Sequence, residues 1–133
     1  MQKIEHIGIA VKNLVESVAL FEKLFNSRCY KTELVESEMV NTAFLKSGDT
    51  KIELLESTDP DGVIALFIAK KGEGLHHIAI EVANIEEEME RLKKEGFVLL
   101  NQTPKWGADN KLVCFLHPKN TNGVLIELCM ERK

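Results

Sequence analysis

Residues 4–11 read IEHIGIAV, and residues 75–82 read LHHIAIEV. Two runs so alike within 133 residues point to an internal duplication, which constrains the whole fold. Setting His6 on His77, an offset of 71, carries the match well past the opening run. VKNL (11–14) falls on VANI (82–85), Val18 on Met89, Phe21 on Leu92, and AFL (43–45) on CFL (114–116). After a loop three residues longer in the second half, IEL at 52–54 meets IEL at 126–128. Each half therefore holds one histidine early and one glutamate late.

Local structure follows the same repeat. The β-branched runs 3–11 and 75–82 predict strands. Asn13 with Glu16, and Asn84 with Glu87, predict capped helix starts, because Asn accepts from an early helical N–H and the glutamate three residues on can reach back. Leu14, Val18, Phe21 and Phe25 keep a helical period, as do Ile85, Met89 and Leu92. Gly96 suits a left-handed stop. Three further strands are expected in each half: about 29–35, 40–46 and 50–56, then about 97–103, 111–117 and 123–130. SGD at 47–49 marks a hairpin turn. TDPDGVIALFIAKKGEG (58–74) opens with turn residues, continues as a short apolar helix and ends rich in glycine. The expected fold class is α+β, with two tandem βαβββ modules related by pseudo-twofold symmetry. Module one runs over about 1–57, a linker helix over about 58–73 and module two over about 74–133, all within a single domain of 1–133.

Composition excludes several roles. A net charge of -4 lacks the basic excess that neutralises phosphates, so no nucleic-acid partner is expected. Cys29, Cys114 and Cys129 are odd in number and lack CxxC spacing, which argues against a disulfide framework or a thiolate metal site and for a reducing, cytoplasmic setting. The start has no basic stretch followed by a long apolar run, and no segment is long enough to span a bilayer, so no membrane partner is expected.

Strand side chains alternate between faces. His6 shares its face with Gly8 and Ala10, while Ile7, Ile9 and Val11 form the opposite face, where a helix can pack. His77 likewise lies with Ala79, opposite Ile78, Ile80 and Val82. Small residues around each histidine leave volume for a pocket. Glu53 and Glu127 stand alone among aliphatic neighbours, and a buried carboxylate is costly unless its charge is offset. Paired about a pseudo-twofold axis, the two modules are expected to curve their mixed sheets around one cavity. That arrangement would bring His6, Glu53, His77 and Glu127 together, and two imidazoles with two carboxylates suit a divalent cation. One strand histidine alone is more often structural; its recurrence with a glutamate in both halves is what favours the metal site.

Other polar residues carry less. His76 points away from His77, and His117 in FLHPKN ends a strand at a loop, so structural or surface roles are expected for both. The run EEEMERLKKEG (86–96) reads as a solvated helix face with charge pairs. Trp106 in TPKWGADNK reads equally as a cover over a ligand and as a hydrophobic plug. Cys129 shares the parity of Glu127 and is expected to line the same cavity.

These segments, IEHIGIAVKNL, TKIELLES, GEGLHHIAIEV, GADNKLVCFLHPK and GVLIEL in order, resemble the vicinal oxygen chelate superfamily over essentially the whole chain. That superfamily includes glyoxalases, epimerases, extradiol dioxygenases and drug-resistance proteins. Within it the sequence is most similar to the methylmalonyl-CoA epimerase family. The resemblance implies the vicinal oxygen chelate fold, a homodimer, and a divalent ion held by His6, Glu53, His77 and Glu127. Co2+ is the first expectation, with Mn2+, Ni2+, Zn2+ or Mg2+ as alternatives. Relatives often carry Gln where this chain has Glu53, a departure that bears on metal preference and charge. The resemblance also implies an acid/base glutamate on the segment before the third strand; the matching position is Ser37, flanked by Glu36 and Glu38.

The implied activity interconverts (2R)- and (2S)-methylmalonyl-CoA through removal and return of the α-proton. Glu127 would serve on one face and Glu36 or Glu38 on the other, with a CoA thioester as partner. Four protein ligands on a six-coordinate ion leave two positions for substrate oxygens. Lys70, Lys71, Lys105, Lys111 and Lys119 are available cations for CoA phosphates. Two other readings stand beside this one. A glyoxalase I-like lactoylglutathione lyase would use the same four ligands, and a non-enzymatic small-molecule-binding protein would need no complete metal set. A dioxygenase, which uses two histidines and one carboxylate, is disfavoured by Glu53.

Overall fold

The computed structural model describes residues 2–131. The chain divides into two compact units, His6–His76 and Met1–Glu5 with His77–Lys133. By element order, in the first half of the chain β1 (Ile4–Ala10) leads into α1 (Leu14–Phe25), β2 (Lys31–Val35), β3 (Val40–Ser47), β4 (Thr50–Ser57) and α2 (Val63–Lys71). In the second, β5 (Gly74–Glu81) leads into α3 (Ile85–Lys94), β6 (Lys105–Trp106), β7 (Lys111–Leu116) and β8 (Ile126–Glu131). Both are βαβββ modules, as the repeat predicts.

Pairing repeats as well. β1 runs parallel to β4, and β3 is antiparallel to both β2 and β4. Correspondingly, β5 runs parallel to β8, and β7 is antiparallel to both β6 and β8. α1 and α3 each cover the aliphatic face of their own module's strands. Leu14, Val18, Phe21 and Phe25 of α1 pack on Val11, Ala43, Leu45, Ile52 and Leu54. Ile85, Met89 and Leu92 of α3 pack with Val82, Cys114, Leu116 and Leu128.

Helix ends follow from capping. Asn13 accepts from the Glu16 N–H at 3.0 Å, and Asn84 from the Glu87 N–H at 3.1 Å, which satisfies a donor that the helix start would otherwise leave unpaired. Gly96, at φ 96°, ends α3, with the Phe97 N–H donating back to the Leu92 carbonyl at 2.9 Å. α1 stops instead on Asn26, which adopts the left-handed conformation at φ 50°; Asn tolerates that region through its short polar side chain. Gly48, at φ 61°, takes the positive φ that the two-residue β3–β4 hairpin requires.

The expected strand over 97–103 is corrected. Leu99 makes an isolated bridge to Leu116, and the regular strand is the short β6 at Lys105–Trp106. The reason lies in two asparagines. Asn120 Oδ1 accepts from the Val98 N–H at 3.0 Å, and Asn101 Oδ1 accepts from the Phe115 N–H at 3.2 Å. Side chains here take places that a continuous ladder would give to backbone carbonyls.

Candidate functional site

In the first unit, register decides the surroundings of Glu53. It lies across from Gly8 on β1 and Phe44 on β3, so its carboxylate emerges over a glycine on one side and an aromatic ring on the other. His6 stands two residues before Gly8 on the same face. Its Nδ1 lies 3.0 Å from Glu53 Oε2, with the two residues 4% and 3% exposed. The second unit repeats the design. Glu127 lies across from Ala79 and Phe115, and His77 Nε2 lies 3.3 Å from Glu127 Oε1, both residues 5% exposed. The His77 ring meets the Phe115 ring edge-on, with centroids 5.8 Å apart. Gly8 corresponds to Ala79 and Phe44 to Phe115 under the sequence offset, so the frame of each pair is duplicated with the pair itself.

A buried carboxylate in an apolar strand is retained only where charge or hydrogen bonding offsets its desolvation. In each unit that partner is an imidazole. Imidazole nitrogen and carboxylate oxygen are also donors to Zn2+, Mn2+, Co2+ and Ni2+. His6 with Glu53, and His77 with Glu127, each present ligand atoms within 4.8 Å of one another. The residues present thus suit a divalent ion.

Other singled-out residues fall as follows. Glu36 and Glu38 lie in a single 3-10 turn, Glu36–Glu38, with Glu36 exposed and Glu38 half-buried. Glu38 is close enough for its charge to raise the pKa of His76; burial outweighs this and holds that histidine below its ordinary value, with Lys71 lowering it further. The His76 ring meets Phe67 of α2 edge-on at 4.8 Å, in keeping with a structural role. His117 accepts from the Lys119 N–H at 3.1 Å and caps a turn. Trp106 is exposed. Cys129 is buried on the Glu127 face with Ala79, Val113 and Phe115, as its parity predicts.

Lys70, Lys71, Lys105 and Lys119 are exposed, but Lys111 is not. It is 5% exposed, and its Nζ lies 3.9 Å from Glu5 Oε2, a carboxylate that is itself buried. The expectation that Lys111 stands at the surface for CoA phosphates is corrected: β7 turns its side chain to the same side as Val113 and Phe115. Glu5 and Thr42 are the other buried polar residues that sequence reasoning missed. Alternation along β7 was a signal that could have placed Lys111 on the Glu127 face. The strong general preference of lysine for the surface obscured it.

The model of the Glyoxalase/Bleomycin resistance protein/Dioxygenase superfamily matches residues 5–115, and the chain belongs to that superfamily. Among its relatives is the mitochondrial methylmalonyl-CoA epimerase of Homo sapiens, 38% identical over 127 residues that make up 95% of this chain and 72% of that protein. The ethylmalonyl-CoA/methylmalonyl-CoA epimerase of Cereibacter sphaeroides is 37% identical over 128 residues, 95% of this chain and 96% of that one. A solved structure of a Streptomyces coelicolor methylmalonyl-CoA epimerase variant, in complex with 2-nitronate-propionyl-CoA, is similar with a TM-score of 0.95 and 32% identity. That match covers 100% of this chain and 99% of the other.

Proposed function

We propose that this chain is a methylmalonyl-CoA epimerase, interconverting the (2R) and (2S) thioesters with the aid of one divalent ion. The observation that carries the reading is the buried His–Glu pair repeated in both halves, in a chain whose relatives include epimerases of that name. His6, Glu53, His77 and Glu127 would hold the ion together. With neutral imidazoles, the two carboxylates supply the two negative charges that a doubly positive ion balances. The resemblance puts Co2+ first and leaves Mn2+, Ni2+, Zn2+ and Mg2+ as alternatives. It extends the reading to a homodimer, and the cysteine usage supports a cytoplasmic setting.

The substrate's α-carbon lies between a thioester carbonyl and a carboxylate and is a weak acid, whereas glutamate has a reference pKa of about 4.3. That mismatch sets the demands on the site. A bound divalent ion would supply positive charge to substrate oxygens as negative charge develops on them. Glu127 takes the α-proton on its carboxylate oxygen from one face. Glu36 or Glu38 returns a proton to the other, which inverts the centre. Burial of the His–Glu pairs excludes water and strengthens every charge interaction around the reacting carbon.

The test is to incubate the protein with methylmalonyl-CoA in heavy water, with and without chelator, and follow deuterium at C2. Uptake that is enzyme-dependent and lost on chelation is expected. No uptake by metal-loaded protein, or undiminished uptake after the metal is removed, would refute the proposal.

A further inference from the structure

Lys111 is a buried cation with no role in the scheme above. On β7, Leu112, Cys114 and Leu116 face the α3 core, while Val113 and Phe115 face Ala79 and Cys129 on the other side. Lys111 has the parity of Val113 and Phe115, which is the Glu127 side, since Phe115 and Glu127 are register partners. Its Cα stands four residues from Phe115, about 13 Å along the strand.

The chemistry of the position is unusual for a purely structural pair. An ammonium group offers three donors. Lys111 Nζ lies 3.9 Å from Glu5 Oε2, which is beyond hydrogen-bond distance. Taking both charges out of water is expensive, and well-packed apolar residues of similar volume often serve stability as well or better. Glu5 therefore balances the charge of Lys111 without using up its donors. Among the described residues, what remains is a cation on the Glu127 face with hydrogen bonds still to give, suited to a carboxylate.

We propose that Lys111 binds the free carboxylate of the acyl group and so selects thioesters that carry one. The inference rests on the epimerase reading for the substrate class, and Lys111 acts as a specificity residue within it.

The test compares binding of methylmalonyl-CoA and propionyl-CoA, which lacks the carboxylate, by calorimetry on metal-loaded protein. Wild type should prefer the carboxylate-bearing thioester at least tenfold. Lys111→Met should lose that preference with propionyl-CoA affinity and metal content unchanged, and Lys111→Arg should keep most of it. Because Lys111→Met leaves Glu5 buried without its cation, a Glu5→Gln/Lys111→Met double variant should show the same loss and decides the matter should the single variant fold poorly. Absence of preference in wild type, or its persistence in both Met variants, would overturn the inference. Deuterium exchange at C2 is scored separately. If the preference is present and depends on Lys111 but exchange is absent, the epimerase reading falls while the carboxylate site stands.

Discussion

Thr42 is wholly buried on β3, and its hydroxyl has no hydrogen-bond partner among the described residues. Valine has nearly the same shape without the polar atom. Thr42→Val is therefore expected to raise the free energy of unfolding by about 1 kcal/mol, measured by urea denaturation; a loss of stability would show that the hydroxyl is satisfied in solution. The cysteines make a second residue-scale case. Burial pushes the Cys114 thiol above its ordinary value of 9.0, and Cys129 is buried as well, whereas Cys29 is half-buried. Only the thiolate reacts, so a thiol reagent at pH 8 should modify Cys29 in the native protein and reach the other two only on unfolding. The raised pKa means that the folded state favours the neutral Cys114 thiol. Its contribution to stability is full below pH 9 and is lost as pH rises through the folded value. The two buried His–Glu pairs were legible because each residue occurs twice at matched positions. Thr42, Lys111 and Glu5 were not, because their repeat partners are Val113, Val40 and His76, and the duplication has nothing to say about a residue found in one half only.

At the scale of elements, the helices were the most legible feature because periodicity and caps agreed. Asn84 caps a helix whose first turn is acidic, with Glu86, Glu87 and Glu88, so cap and dipole act in the same direction. Asn84→Ala should cost about 1 kcal/mol of stability, while Asn84→Asp should cost little; equal losses in chemical denaturation would assign the effect to something other than the cap. Strand faces were readable too, since alternation placed the aliphatic side of each module against its helix. The segment 97–103 was misread for a physical reason. FVLL has strand composition, but composition does not show that the Asn101 and Asn120 side chains take hydrogen-bonding places beside it. The end of α1 was overlooked for a related reason: a left-handed stop is sought at glycine, and here Asn26 supplies it.

At the scale of the whole molecule, the duplication links fold and function. Two modules of the same topology, each with an imidazole beside a buried carboxylate, are the basis of the proposal that one ion is shared. If that ion binds only the folded chain, it must also stabilise it. Free metal at about a hundred times its dissociation constant would add about 2.7 kcal/mol, seen as a rise in melting temperature that Glu53→Ala should abolish. The most direct test of the shared ion is the metal content of the purified, metal-loaded protein and its two half-site variants. One divalent ion per chain in the wild type, falling below a tenth in both His6→Ala and His77→Ala, is the predicted result. Two ions per wild-type chain, or a full equivalent retained by either variant, would contradict it.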